Sequence, residues 1–431
     1  MDYTTFMLYI FGAISTLYVL HFGFYLVGAN AYDIWQSLRH HKRYQDAVRG
    51  FVEIYKPLVT VAISARNEEM VIERCLDSIF KGNYLSAQVI VVDDASLDAT
   101  YRVLRHYKQQ HPRYDLKIIH RKKNHGKGSA LNLALRKYGR GELVMTLDAD
   151  SVLKPDSIAN AVSYFMDPKV AGVAANVQTF DEFTILGVLQ KFEYMVGYRS
   201  KKVYSLLNCE FVIGGVASTY RMSVLRKVGF YDTDTMTEDI GLSMKVVAQG
   251  NREHRVLYAS DVVAMTEGVA SFRGLIRQRF RWKYGSFQNL MKYRHLIHKH
   301  DPDNYTRTLT HYRLPMAITS EFMLLFAPLV WIYVLYWTFA SVSLWLIIGA
   351  YLTISVYTLI TLWFDENITV WHRIRLSAYV PIAYFIYYIM DIVQVVAMIK
   401  CLQRLHYLIQ RKSHGSVWIS PQRIGRGITV G

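Results

Sequence analysis

The amino-acid sequence predicts an α/β domain on a parallel sheet, fused to membrane-spanning and interfacial helices. Uncharged apolar runs stand near both ends, short β-branched runs alternate with amphipathic segments between them, and acidic residues directly follow several of the β-branched runs. A hydrophobic share of 52% and an aromatic share of 14% over 431 residues exceed the needs of a soluble core, and the excess lies in the terminal runs.

The first run, FMLYIFGAISTLYVLHFGFYLVGA (6–29), is longer than the roughly 20 residues that cross ~30 Å of hydrocarbon. It lacks a basic leader and is followed by RHHKR (39–43) instead of a small-residue cleavage site, so a retained anchor is expected over 1–30. Lys and Arg favour the cytoplasmic side, which places the basic juxtamembrane segment 31–56 and the middle of the chain in the cytosol. Three further candidate spans, about 314–339, 341–363 and 376–400, fill a C-terminal region over 313–403. Four full crossings would leave the basic tail, 404–431, outside, against the same rule. One segment is therefore expected to be interfacial or re-entrant, unless a small accessory subunit completes the bundle. The net charge of +16 fits anionic lipid headgroups, so no nucleic-acid partner is expected. Cys75, Cys209 and Cys401 are too scattered for a disulfide framework or a zinc pattern.

From residue 57 the periodicity changes. LVTVAIS (58–64), QVIVVDD (88–94), LKIIH (116–120) and ELVMTLDAD (142–150) read as buried strands. EEMVIERCLDSIFKG (68–82), DATYRVLRHYKQQ (98–110) and GSALNLALRKYG (128–139) carry apolar residues three and four apart, as helices covering a sheet do. Strand and helix in alternation imply parallel pairing, with ligands gathered at the strands' carboxyl ends. Further strands are expected at VAGVAANVQ (170–178) and FVIGGVAST (211–219), which takes the domain to residue 265. RGLIRQRFRWKYGSFQNLMKYRHL (273–296), within 266–312, is basic, aromatic and helical in period, and suits an interfacial position.

The candidate functional residues follow the strands. Asp93 and Asp94 stand before a helix that one of them could cap. Asp148 and Asp150 are two apart, so on extended backbone both carboxylates face one way; a Mg²⁺ or Mn²⁺ ion would relieve their repulsion. Lys127 in NHGKGSALN (124–132) resembles a Walker lysine, but Arg121 stands where that motif needs glycine, so an ATPase is excluded. Lys127 is left as a nucleotide contact or a solvated helix start. In QRFRW (278–282), Arg281 offers fork-like contacts to a diphosphate and Trp282 an apolar plate, or both are ordinary interfacial residues. Glu238 and Asp239, after Thr237, open a helix and are open to cap, metal or proton-acceptor readings.

Together A-R-N-E-E, V-D-D-A-S, N-H-G-K, D-A-D, T-E-D and Q-R-F-R-W, in this order and flanked by apolar segments, resemble the processive inverting glycosyltransferases of family 2. These are membrane synthases of cellulose, chitin, hyaluronan and poly-N-acetylglucosamine. The T-E-D-I and Q-R-x-R-W forms are nearest to the bacterial poly-N-acetylglucosamine branch. The resemblance implies a GT-A, Rossmann-like domain that takes a UDP-sugar, with UDP-N-acetylglucosamine the first expectation, and extends and exports a β-linked polymer at the cell membrane. It implies that Ala65, Glu68, Asp93, Lys127, Asp148, Gln278 and Arg281 hold the nucleotide sugar, and that Asp150 holds Mg²⁺ or Mn²⁺. Gly214, Gly215 and Trp282 would meet the acceptor, and Glu238 and Asp239 would be catalytic, Asp239 as general base. Ser64-Ala65 departs from the Pro the family often carries there. A non-processive transfer to a polyprenyl phosphate, another β-glycan synthase and a catalytically dead scaffold are the alternatives.

Overall fold

A computed structural model describes residues 3–48, 55–180, 184–340, 344–365, 367–404 and 406–407. The chain begins with one long helix, α1 (Tyr3–Val48). Then come β1 (Val59–Ala65), α2 (Ile72–Phe80), β2 (Ala87–Asp94), α3 (Thr100–Gln110), β3 (Leu116–Arg121), α4 (Lys127–Tyr138) and β4 (Leu143–Asp148). The second half of the domain has β5 (Val152–Leu153), α5 (Ser157–Tyr164), β6 (Val170–Thr179), α6 (Ile185–Leu206), β7 (Ser218–Arg221), α7 (Met222–Val228), α8 (Glu238–Val247) and β8 (Arg255–Thr266). The remaining helices are α9 (Phe272–Lys292), α10 (Leu314–Met323), α11 (Ala327–Ala340), α12 (Trp345–Trp363), α13 (Val370–Ser377) and α14 (Val380–Gln403).

The eight strands form one sheet in the order β3-β2-β1-β4-β7-β6-β8-β5. The expected parallel pairing holds for β3, β2, β1 and β4. The rest is mixed: β7 runs antiparallel to β4 and β6, and β5 antiparallel to β8. The cause is the path into β7. Ser218, its first residue, pairs with Thr146 near the carboxyl end of β4, so the chain enters this strand where the parallel strands leave theirs.

The strand expected over FVIGGVAST is a loop until Ser218. Glu210 Oε1 accepts the amides of Phe211 and Val212 at 2.9 and 2.8 Å, which withdraws both from any ladder. Two glycines follow, and Ala217 takes a positive φ of 53°.

Both faces of β1, β2 and β4 are buried, which is why they read as continuous apolar runs. On one face Val59, Val61 and Ile63 of β1 pack on Ile72 and Leu76 of α2; on the other Ala62 joins Leu131 and Leu135 of α4.

The border expected near residue 30 lies inside α1, which is unbroken. Its middle packs on the domain: Tyr32 is fully buried and donates its hydroxyl to the Tyr258 carbonyl at 2.6 Å, and Asp33 pairs with Lys202 at 2.5 Å. Among the described residues two helical runs, Thr308–Ala340 and Val380–Gln403, are long and apolar enough to cross a membrane; the apolar helix Ile347–Trp363 is shorter. The expected basic tail lies outside the described residues from 408 onward, as do residues 49–54 of the juxtamembrane segment.

Candidate active site

The loops after β1 and β2 clasp each other. Asn67, at φ 57°, accepts the Leu97 amide at 2.8 Å, the Glu68 amide reaches Thr100 Oγ1 at 2.8 Å, and Glu69 accepts the Ala99 amide at 2.7 Å. Ala65 and Glu68 are both buried at this edge.

The two acids after β2 have separate tasks. Asp93 Oδ1 accepts the Ser96 amide at 3.1 Å, closing the turn before α3, while Oδ2 meets His120 Nδ1 at 2.7 Å. Asp94 accepts the Gly126 amide at 2.8 Å and the His125 amide at 3.2 Å, with Arg121 at 3.3 Å. It thereby pins the N-H-G-K turn, in which Gly126 has φ 84° and Lys127 starts α4.

Lys127 is the centre of the site. Its Nζ donates to Asp148 Oδ1 at 2.5 Å and lies 3.7 Å from Glu238 Oε1. Burial opposes its charge, but Asp148, Glu238 and Asp239 outweigh burial and raise its pKa. A Cβ on Gly215 would stand 2.7 Å from Lys127 Nζ and 3.4 Å from Asp239 Oδ2, so the loop before β7 seats a bare backbone between base candidate and lysine. Thr146 Oγ1 holds that turn by donating to the Gly215 carbonyl at 3.2 Å. Gly214 adjoins open space.

The helix α8 starts at Glu238 with both acids in its first turn, where its dipole favours them. Thr237 makes no side-chain cap, contrary to the cap reading. Its carbonyl and hydroxyl instead accept from Asn289 Nδ2 on α9, at 3.0 and 3.1 Å. Glu238 is buried, and burial raises its pKa; Lys127 and Arg281 pull it back and Asp239 adds to the rise. Asp239 is less buried, and its Oδ1 accepts the Ile240 amide at 2.9 Å.

Asp148 and Asp150 do not share one extended strand, because β4 ends at Asp148 and the Ser151 amide turns back to the Asp148 carbonyl at 3.0 Å. Both still act on one neighbourhood: burial first, then Asp150 and Asp148, raise the Cys75 thiol. Among the described residues no group of three or more His, Cys, Asp or Glu side chains forms a metal site. Asp148 and Asp150 are hard carboxylates of the kind that suit Mg²⁺ or Mn²⁺.

In Q-R-F-R-W the unassigned second residue is the anchor. Arg279 is fully buried, donates through Nε to Glu193 of α6 at 3.1 Å, pairs again with Glu193 through Nη2, and donates to Gln278 Oε1 at 2.6 Å. Its guanidinium covers the Trp282 ring at 4.2 Å, and Tyr194 stacks near that indole at 6.4 Å between centroids. Gln394 of α14 joins through Glu193 at 3.0 Å. Arg281 is close enough to lower the Glu238 pKa. Arg279, Glu193, Tyr194 and Asn289 escaped sequence reasoning; only Arg279 carried a signal, its place inside the motif.

A sheet with acids, a lysine and a diglycine loop at its carboxyl edge, closed by a basic aromatic helix, is the GT-A architecture of glycosyltransferases. The chain belongs to the glycosyltransferase like family 2, whose pattern matches residues 57–285. It is 30% identical over 237 residues to the poly-β-1,6-N-acetyl-D-glucosamine synthase of Staphylococcus epidermidis, covering 54% of this chain and 56% of that one. The synthase of the same name from Staphylococcus aureus (strain COL) is 29% identical over 237 residues, with the same coverage. The chain thus matches about half the length of these curated relatives. Among solved structures, a mannosyltransferase from Pyrobaculum calidifontis, in complex with GDP-Man and Mn²⁺, shares the fold with a TM-score of 0.55 at 22% identity, over 88% of this chain and 99% of that one.

Proposed function

We propose that this chain is an inverting, processive glycosyltransferase that polymerises a UDP-sugar, UDP-N-acetylglucosamine first, at the cytosolic face of the cell membrane and delivers the β-linked product outward. The transferase unit is 57–265, and 266–312 supplies the acceptor side. The carrying observation is the cluster in which Lys127 joins Asp148 to Glu238 while Gly215 lies against both Lys127 and Asp239. This puts the Lys127 ammonium and the Asp239 carboxylate beside one bare turn, which supports a diphosphate contact for the first and a proton-acceptor role for the second.

Inverting transfer needs the acceptor hydroxyl to attack opposite the leaving UDP, and that hydroxyl is a poor nucleophile unless a carboxylate takes its proton. Asp239 takes this role because it is the more open of the two acids; Glu238, buried between Lys127 and Arg281, orients those cations. Ala65, Glu68 and Asp93 line the nucleoside end. Arg281, Lys127 and Gln278 meet the charge that builds on the departing diphosphate. Trp282, held flat by Arg279 and Tyr194, supports the acceptor sugar above Gly214 and Gly215. Asp150 with Asp148 would hold Mg²⁺ or Mn²⁺, which would supply neutralisation of diphosphate charge.

The test is to give membranes containing the chain a panel of labelled UDP-sugars and to size the product. Long polymer from UDP-N-acetylglucosamine, cut by a β-1,6-specific hydrolase, is expected. A single-sugar glycolipid would establish the polyprenyl phosphate alternative, and no turnover with any donor would end the enzymatic reading.

A further inference from the structure

Arg279 and Trp282 stand three residues apart on α9 and therefore share a face, with Gln278 beside them. All three nitrogens of the Arg279 guanidinium are engaged: Nε and Nη2 hold Glu193 of α6 in a fork-like pair, and Nη1 donates to Gln278 Oε1 at 2.6 Å. The guanidinium carbon lies over the Trp282 ring, 4.2 Å from its centroid. One buried cation thus fixes both the amide assigned to the diphosphate and the indole assigned to the acceptor. With Oε1 taken, Gln278 has its NH₂ end left as a donor, which is the end a diphosphate needs. The indole face beneath the guanidinium is closed, so a sugar can pack only on the other.

Stability alone does not explain this arrangement. Desolvating both charges of a buried ion pair offsets their attraction, and apolar side chains of similar volume serve a core as well or better. The neighbouring residues are of that kind: Phe192 of α6, Leu275 one turn before Arg279, and Met390 and Val393 of α14 belong to one apolar core. Into this seam α14 sends a polar side chain, Gln394, whose Nε2 donates to Glu193 Oε1 at 3.0 Å, the same oxygen that accepts Arg279 Nε. One residue past Trp282, Lys283 pairs with Glu321 of α10. What these charges add to an apolar seam is direction: a two-pronged pair fixes the plane of the guanidinium, and with it the ring it covers.

We propose that Glu193 and Gln394 are positioning residues for the acceptor: acting through Arg279, they set the angle of the Trp282 plate, and that angle governs how long a growing chain stays seated between transfers. Both act on the guanidinium and not on the sugar. Because Gln394 belongs to α14, the seat of the chain end is coupled to the C-terminal apolar helices as well as to the sheet domain. The inference rests on the acceptor role given to Trp282 in the proposed function and is independent of the donor. Mean product length is the ratio of the transfer rate to the release rate. A loosened plate therefore shortens the product, whereas loss of folded protein lowers the yield at constant length.

The experiment uses the full chain in membranes with labelled UDP-N-acetylglucosamine; product length is sized, and Tm and UDP affinity are measured alongside. Glu193→Met combined with Arg279→Met replaces the ion pair with an apolar one and buries no lone charge, so Tm is expected to stay near that of wild type. The product is expected to shorten about fivefold in this double variant, with UDP affinity kept within about threefold. Gln394→Met leaves the ion pair in place and is expected to shorten the product about twofold. Wild-type product length from either variant in folded form would overturn the inference. If wild type adds only one sugar, the processive reading fails while this inference is still measured: the acceptor KM is then expected to rise about fivefold in the double variant, and an unchanged acceptor KM would overturn it.

Discussion

Asn289 of α9 donates its side-chain amide to both the carbonyl and the hydroxyl of Thr237, the residue directly before Glu238 and Asp239. One buried amide therefore ties the start of α8 to the helix that carries Arg281 and Trp282. Asn289→Ala removes the side-chain bonds to the Thr237 carbonyl and hydroxyl, at about 0.5–1.5 kcal/mol each, while the carbonyl keeps the Gly241 amide at 3.1 Å. Transfer is expected to fall at least tenfold and Tm to drop, with UDP affinity changed less than turnover. Unchanged turnover in a folded variant would show that α8 needs no such tether.

Contact between the same helices is closest at Gly285, where a Cβ would stand 2.3 Å from Thr237 Oγ1 and 2.6 Å from its Cγ2. Gly285→Ala forces the helices apart, at about 1–3 kcal/mol. Thr237→Ala removes the colliding atoms, so the double variant is expected to lose less stability than the sum of the single ones. Denaturant unfolding of all four proteins measures this coupling.

Asp239→Asn keeps the shape of the side chain and removes its capacity to accept a proton. Polymer synthesis is expected to fall below a tenth of wild type while UDP binding, followed by calorimetry, is retained. Synthesis above that level would shift the base role to Glu238.

The pH dependence of stability tests Glu238. Its folded pKa lies above its ordinary value of 4.5 because it is buried, so the ionised carboxylate destabilises the fold. Below pH 4.5 both states are protonated and the effect vanishes; it grows as pH rises towards the folded pKa. Glu238→Gln is therefore expected to raise Tm at neutral pH, by about 2–4 °C for each kcal/mol relieved, and to match wild type in acid, with transfer impaired. Equal Tm at neutral pH would contradict the buried-charge account.

The ammonium of Lys127 donates to Asp148 Oδ1 at 2.5 Å, on a carboxylate that would also face a divalent cation. Lys127→Gln is expected to bind Mn²⁺ several-fold more tightly without nucleotide, measured by the free-ion signal in electron paramagnetic resonance, and to bind UDP more weakly. Weaker Mn²⁺ binding would mean that lysine and ion do not compete.

The parallel half of the sheet was legible because burial on both faces leaves continuous runs such as QVIVVDD, and its polar ends marked the functional edge. In the mixed half VAGVAANVQ was legible as β6, but FVIGGVAST was not, because it is apolar enough for a strand while Glu210 and the positive φ of Ala217 divert its backbone. At the edge, the paired acids after β2 could not be separated by type; only the fold shows Asp93 closing a turn and Asp94 pinning the lysine loop. Asn289 was invisible for a simpler reason: one amide inside a helix has no periodic signature, and its meaning comes from the segment it meets 52 residues away.

The seat of Tyr32 on the catalytic domain bears on how this enzyme can be dissected. With Tyr32 sealed against the Tyr258 carbonyl and Asp33 latched to Lys202, α1 serves as a strut of the sheet domain. A soluble fragment cut at residue 57 would bare a greasy trench along α6 and β8 and strand the ammonium of Lys202. Starting the fragment near residue 24 retains the strut and omits most of the apolar first turns, and it is the better starting point for crystallisation.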